Sequence, residues 1–258
     1  MALAALARQS EAPSEVLIAD DGSTQTTLEV AAAWDERTSF PVIHVRQADK
    51  GYRKARIVNE AVRRSSGDHL IFLDGDSFPH RAWVADHLAS ADGKSVLCGR
   101  RVKLGPAISP QVTREQIEAG AFDSAFRVPL LKSRLRGDTK RLSLGVRLPR
   151  GLARALHPRA RKLMGVNFSL PREAFIAVNG YDEAWQVYGH EDRELELRLQ
   201  RSGFSQKAIL NRAVVFHLHH EEREKTDETR RLIAEAESSN RTRCEVGFDQ
   251  AELFDAAT

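Results

Sequence analysis

Residues 70–76 read Leu-Ile-Phe-Leu-Asp-Gly-Asp, an apolar run suited to a buried strand that ends in two carboxylates separated by one glycine. Acids at the exposed tip of a strand repel each other and lose hydration unless a cation or a ligand's hydroxyl groups sit between them. An isolated Asp-x-Asp is as readily a solvated turn. Here it has company: Asp20 and Asp21 end an earlier apolar run, Glu191 and Asp192 lie downstream, and His217 and His219 flank Leu218 further on.

The elements that must position these residues follow from periodicity. Glu15–Ala19 predicts a buried strand that runs into the turn Asp20-Asp21-Gly22-Ser23. Thr27–Trp34 has helical composition and Val42–Val45 suits a second strand. Arg53–Ser65 carries Ala55, Val58, Ala61 and Val62 at helical spacing, with Gly67 as its stop before the Asp74/Asp76 strand. Strand, helix, strand, helix, strand predicts an α/β fold with an open parallel sheet, whose ligands bind at the carboxyl ends of the strands. Both acidic motifs fall there.

Val96–Arg101 continues as strand, after which prolines at 106, 110, 129, 149 and 158 break the pattern. Residues 104–163 read as an insertion with short helices, either a lid or a plain surface excursion. Met164–Leu170 is strand-like, Pro171 opens a helix through Val178, and a longer helix runs from Glu191 to Ser202. Ala213–His217 is the last strand, so residues 1–220 form one domain and 221–258 a charged helical tail.

With 258 residues, 41% hydrophobic and 29% charged, the composition is that of a globular protein with a substantial core. No apolar run approaches the roughly 20 residues a spanning helix needs, and no leader pattern is evident. Cys98 and Cys244 set neither a disulfide framework nor a zinc spacing, so a reduced, cytoplasmic setting is expected. Net charge is only +3, yet residues 100–162 hold 16 Lys/Arg against 4 Asp/Glu, a local +12 that leaves −9 for the rest. Such a segment is a solvated face or a site for phosphates, anionic lipid head groups or an acidic glycan. Nucleic acid is not expected, because no zinc spacing, aromatic-basic RNA motif or recognition helix accompanies the charge.

Taken together, Ala19-Asp20-Asp21-Gly22-Ser23, Phe72-Leu73-Asp74-Gly75-Asp76, Asn179-Gly180-Tyr181-Asp182-Glu183 and Gly189-His190-Glu191-Asp192-Arg193-Glu194-Leu195 resemble glycosyltransferase family 2. The second half is similar to the galactosyltransferase group, including bacterial chondroitin-type polymerases. The resemblance implies a GT-A nucleotide-sugar-binding fold, a UDP-sugar donor, a glycan or glycolipid acceptor, a divalent metal and inversion at the anomeric carbon. Asp76 is then a metal ligand and Asp74 a partner of ribose hydroxyls or metal-bound water. Hard oxygen ligands indicate Mg2+ or Mn2+, and an imidazole tilts the choice to Mn2+. His217 is the expected imidazole, with His219 on the same face by strand alternation.

By the same resemblance Asp21 contacts ribose or base, with Asp20 in support. Arg53, Lys54 and Arg56 open a helix whose amino end favours the pyrophosphate. Asp192 becomes the base that takes the acceptor's proton, Glu191 binds sugar hydroxyls, and Trp185 offers a stacking face. Two departures stand out. Family members begin with a further strand ahead of Ala19, so the sheet is expected to lack its first strand, and galactosyltransferase-like sequences carry Gly-Gly where this chain has Gly189-His190. A catalytically silent nucleotide-sugar or anionic-glycan binding module of the same fold is the alternative. The basic insertion would make peripheral contact with an anionic membrane at its inner face.

Overall fold

The computed structural model describes residues 1–221 and 223–250. The expected tail therefore lies partly outside the described residues. In chain order the helices are α1 (Ala2–Leu6), α2 (Gln25–Asp35), α3 (Lys54–Arg64), α4 (Trp83–Ser90), α5 (Arg114–Glu118), α6 (Val128–Leu135), α7 (Arg150–Leu156), α8 (Arg172–Ala177), α9 (Glu191–Arg201) and α10 (Asp227–Ser238). The strands are β1 (Val16–Asp20), β2 (Val42–Arg46), β3 (His69–Phe72), β4 (Ser77–Pro79), β5 (Ser95–Cys98), β6 (Val102–Lys103), β7 (Phe168–Pro171), β8 (Ser205–Ala208) and β9 (Val215–His217).

The chain forms two compact units. One comprises Met1–Pro13, Ile71–Leu170 and the segment from Gln206; the other comprises Ser14–Leu70, Pro171–Ser205 and the segment from Arg223. The first unit holds the three-stranded sheet β4-β9-β6 and the larger part of the four-stranded sheet β3-β7-β5-β8. Strand β9 pairs antiparallel with β4, Ser77 opposite His217, and parallel with β6, Val102 opposite Phe216. Phe78, Phe122 and Phe216 pack ring to ring under this sheet. Behind β7, the buried His87 is satisfied by Ser169 Oγ at 2.8 Å and Asn167 Oδ1 at 3.1 Å, so it is a structural core histidine.

In the second unit β1 and β2 run parallel, Val16 opposite Val42, as a β-α-β crossover requires. Helix α3 packs Ile57 and Ala61 onto Val45, with Leu17 and Ile43 at the edge. Asn59 of α3 is fully buried and clasps the backbone of Tyr181, donating to its carbonyl and accepting from its N–H at 2.8 and 2.9 Å. That clasp fixes the turn ahead of α9. The insertion at 104–163 contains α5, α6, α7 and two 3-10 turns at Ser109–Gln111 and Leu142–Gly145.

Candidate active site

The Asp74-Gly75-Asp76 turn joins β3 to β4, and β9 ends beside it. Register sets Ser77 opposite His217, and Leu218 N–H donates to the Asp76 carbonyl at 3.0 Å. His217 Nε2 lies 3.3 Å from Asp76 Oδ1, and His220 Nε2 lies 3.2 Å from Asp76 Oδ2. These three ligand atoms lie within 4.8 Å of one another, a spacing that one cation can bridge. One carboxylate with two imidazoles suits Mn2+ better than the all-oxygen preference of Mg2+. Burial works against the Asp76 charge, but the His217 hydrogen bond and the nearby imidazoles outweigh it and hold the carboxyl below its ordinary range.

His219 is not in this group. Strand β9 stops at His217, so alternation does not extend beyond it; His219 N–H donates instead to Ser109 Oγ at 2.8 Å. The turn after the strand brings in His220, which the period-two pattern could not reveal. Asp74 also stands outside the group, its Oδ2 4.0 Å from Arg101 Nη1. Arg101 Nε is buried without a hydrogen-bond partner among the described residues, a donor left for a ligand to meet.

In the second unit, the turn after β1 depends on Gly22, whose φ is +90° and where a Cβ would fall 2.5 Å from Asp49 Cα. Asp20 is buried and serves this turn: Oδ1 accepts from Ser23 N–H at 2.7 Å and Oδ2 meets His44 Nε2 at 2.8 Å. Burial opposes its charge, yet the Ser23 bonds and His44 prevail and hold the carboxyl low. Asp21 accepts from Gln47 Nε2 at 2.6 Å and from Arg53 N–H at 2.7 Å. Gln47 Oε1 and Arg53 Nε are buried without hydrogen-bond partners among the described residues. Arg53 also donates through Nη2 to the Ala48 carbonyl, while Arg56 lies partly buried in the first turn of α3.

Glu191 and Asp192 open α9, where the helix dipole favours carboxylates. Lys54 Nζ sits 2.9 Å from Glu191 Oε1 and 3.4 Å from Asp192 Oδ1, so this lysine serves the acid pair. Tyr52 donates to Glu191 Oε1 at 2.8 Å, and Tyr181 donates to Asp192 Oδ1 at 2.9 Å. Burial and the neighbouring carboxylates push both phenols well above their ordinary range, which keeps them donors. Glu191 Oε2 is buried without a hydrogen-bond partner among the described residues. Residues 52–54 thus touch both acidic motifs: Arg53 N–H holds Asp21 while its neighbours hold Glu191 and Asp192. Sequence reasoning missed Tyr52 and Tyr181 because only the tertiary fold brings their hydroxyls to the acids.

Trp185 is buried and its Nε1 donates to the Gly189 carbonyl at 3.0 Å. Its ring braces the loop ahead of α9 from inside. His190, the N-cap of α9, has φ +68° and follows Gly189 at φ +94°. Both positions hold a backbone that glycine adopts without strain and histidine does not.

Comparison with known proteins bears on both units. In fold, S. aureus TarS 1–349 in complex with UDP matches 96% of this chain and 62% of that one, with TM-score 0.60 and 13% identity. The mannosyltransferase PcManGT from Pyrobaculum calidifontis, in complex with GDP-Man and Mn2+, matches 83% of this chain and 51% of that one, with TM-score 0.50 and 16% identity. The fold is of the GT-A class. Residues 2–149 match the family described as "Glycosyl transferase family 2", and residues 153–221 match "N-terminal domain of galactosyltransferase". The chain belongs to glycosyltransferase family 2. Validoxylamine A glucosyltransferase from Streptomyces hygroscopicus subsp. limoneus is 32% identical over 208 residues, 78% of this chain and 44% of the relative. The chain therefore spans under half the length of that relative.

Proposed function

We propose that this protein is an inverting, metal-dependent glycosyltransferase that moves a sugar from a UDP-sugar to a hydroxyl of a glycan or glycolipid. The convergence of Asp76, His217 and His220 in a family 2 chain carries this reading. UDP and GDP-Man in the solved neighbours support a nucleotide-sugar donor. When bound, a divalent cation would neutralise charge on the diphosphate leaving group.

This chain's own residues divide the remaining work. Asp21 and the amino end of α3 face the nucleotide, with Arg53 and Arg56 supplying positive charge and Asp74 meeting hydroxyls or metal-bound water. Glu191, with one buried oxygen lacking a hydrogen-bond partner, accepts from a sugar hydroxyl. Asp192 takes the acceptor proton as the acceptor oxygen bonds to the anomeric carbon and the bond to the diphosphate breaks. Tyr181 and Lys54 fix that carboxylate for the attack. The domain reading of residues 1–220 with a carboxy-terminal tail, and a peripheral membrane contact by the insertion, belong to the same proposal.

Calorimetric titration of UDP with Mn2+, with Mg2+ and with chelator tests the donor site. Binding should require metal, favour Mn2+ and vanish in Asp76→Ala. Asp192→Asn should keep that binding and lose on the order of a hundredfold to ten-thousandfold in donor turnover. Turnover unchanged by Asp192→Asn would remove it as the base, and UDP binding without any turnover in the parent would favour the silent binding module.

A further inference from the structure

Helix α6 has two apolar sides. Leu130 and Ser133 are buried against the first unit, whereas Val128, Leu131 and Leu135, at i, i+3 and i+7, form an exposed stripe on the other side. Leu135 is 87% exposed, and Phe126, just ahead of the helix, is 68% exposed. Single exposed leucines are ordinary, but a stripe along one helix face is not. Helix α7 repeats the pattern: Ala153 is buried while Leu152 and Leu156, one turn apart, face solvent.

Basic residues flank both stripes. Lys132 and Arg134 on α6, Arg136 just after it, and Arg150 and Arg154 on α7 are exposed and make no ion pair among the described residues. A short helix with an outward apolar stripe bordered by Lys and Arg is what a surface-seated amphipathic helix presents to lipid. No described helix is long and apolar enough to cross a membrane.

We propose that the outward face of α6, with Phe126 just ahead of it, seats on a bilayer containing anionic phospholipid. The leucines enter the boundary between head groups and acyl chains, and the flanking cations meet lipid phosphates. Charge selects this occupant. A second copy would bring one +12 segment against another, and a nucleic acid would engage the cations while leaving the leucines in water. The inference deepens the membrane part of the proposed function, and its test does not depend on turnover.

The test is co-sedimentation of the full chain with vesicles of phosphatidylcholine containing phosphatidylglycerol, and with phosphatidylcholine alone. Binding is expected only to the anionic vesicles and should weaken as salt rises. The double variant Leu131→Asp/Leu135→Asp should bind roughly tenfold or more weakly while remaining folded, with a melting temperature lowered only by the partial burial of Leu131, which is 39% exposed. The triple variant Lys132→Glu/Arg134→Glu/Arg136→Glu should lose a comparable factor. Absence of parental binding to anionic vesicles overturns the proposal, as does binding that a folded double variant retains in full. Loss of a dimer in the double variant, with no vesicle binding by the parent, would overturn it in favour of self-association. Donor hydrolysis by the double variant in vesicle-free solution separates a failed docking surface from a failed transferase reading.

Discussion

His190 occupies the left-handed region at φ +68°, where a side chain crowds its own backbone. A histidine there costs about 1 kcal/mol relative to glycine. His190→Gly should therefore raise stability by up to about 1 kcal/mol in chemical denaturation. The same change removes the 3.2 Å contact of His190 Nε2 with Lys225 Nζ. If that contact matters more than backbone strain, the variant will be the less stable. His220 presents a second residue-scale question. In the proposed metal site, His220→Ala should weaken Mn2+ binding by roughly tenfold in calorimetry, whereas His219→Ala should leave it unchanged. At this scale the acids and His217 stood out in the sequence as candidates because their types carry charge or coordination chemistry. Their supports did not, since Tyr52, Lys54 and Tyr181 act through contacts made only when α3 and the turn at residues 179–181 meet the start of α9.

At the scale of elements, the Asp20–His44 pair fastens the end of β1 to β2. Asp20 titrates below its ordinary value of 3.8 when folded. Its stabilising contribution is complete above that pH and is lost as pH falls through the lower folded value. Asp20→Asn should cost about 1–2 kcal/mol at neutral pH and should flatten the decline of melting temperature on the acid side. A variant with the parent's full acid slope would show that other carboxylates govern that limb. Periodicity read α3, α8, α9 and β2 to within a residue or so, whereas the expected strand Met164–Leu170 begins only at Phe168 and the one over Val96–Arg101 stops at Cys98. The end of β9 was less legible. Alternation marks two faces of a strand but carries no signal for where pairing stops, so it set His219 on the face of His217 and gave no hint of His220.

At the scale of the whole molecule, the basic segment was plain in the sequence as charge but not as a surface. Which leucines remain outside depends on which side of α6 packs down, and Leu130 with Ser133 decides that only in the folded protein. The GT-A class was legible for a different reason: four short motifs in a fixed order constrain a fold more than any one of them does. Asp76 and the two histidines lie far apart in sequence, and the β4/β9 pairing that joins them uses the last of the described strands. A ribosome makes Asp74-Gly75-Asp76 well before His217 and His220. A nascent chain halted before residue 213 would carry the aspartates without the imidazoles, so the proposed cation site can be completed only once β9 and the turn after it have been made.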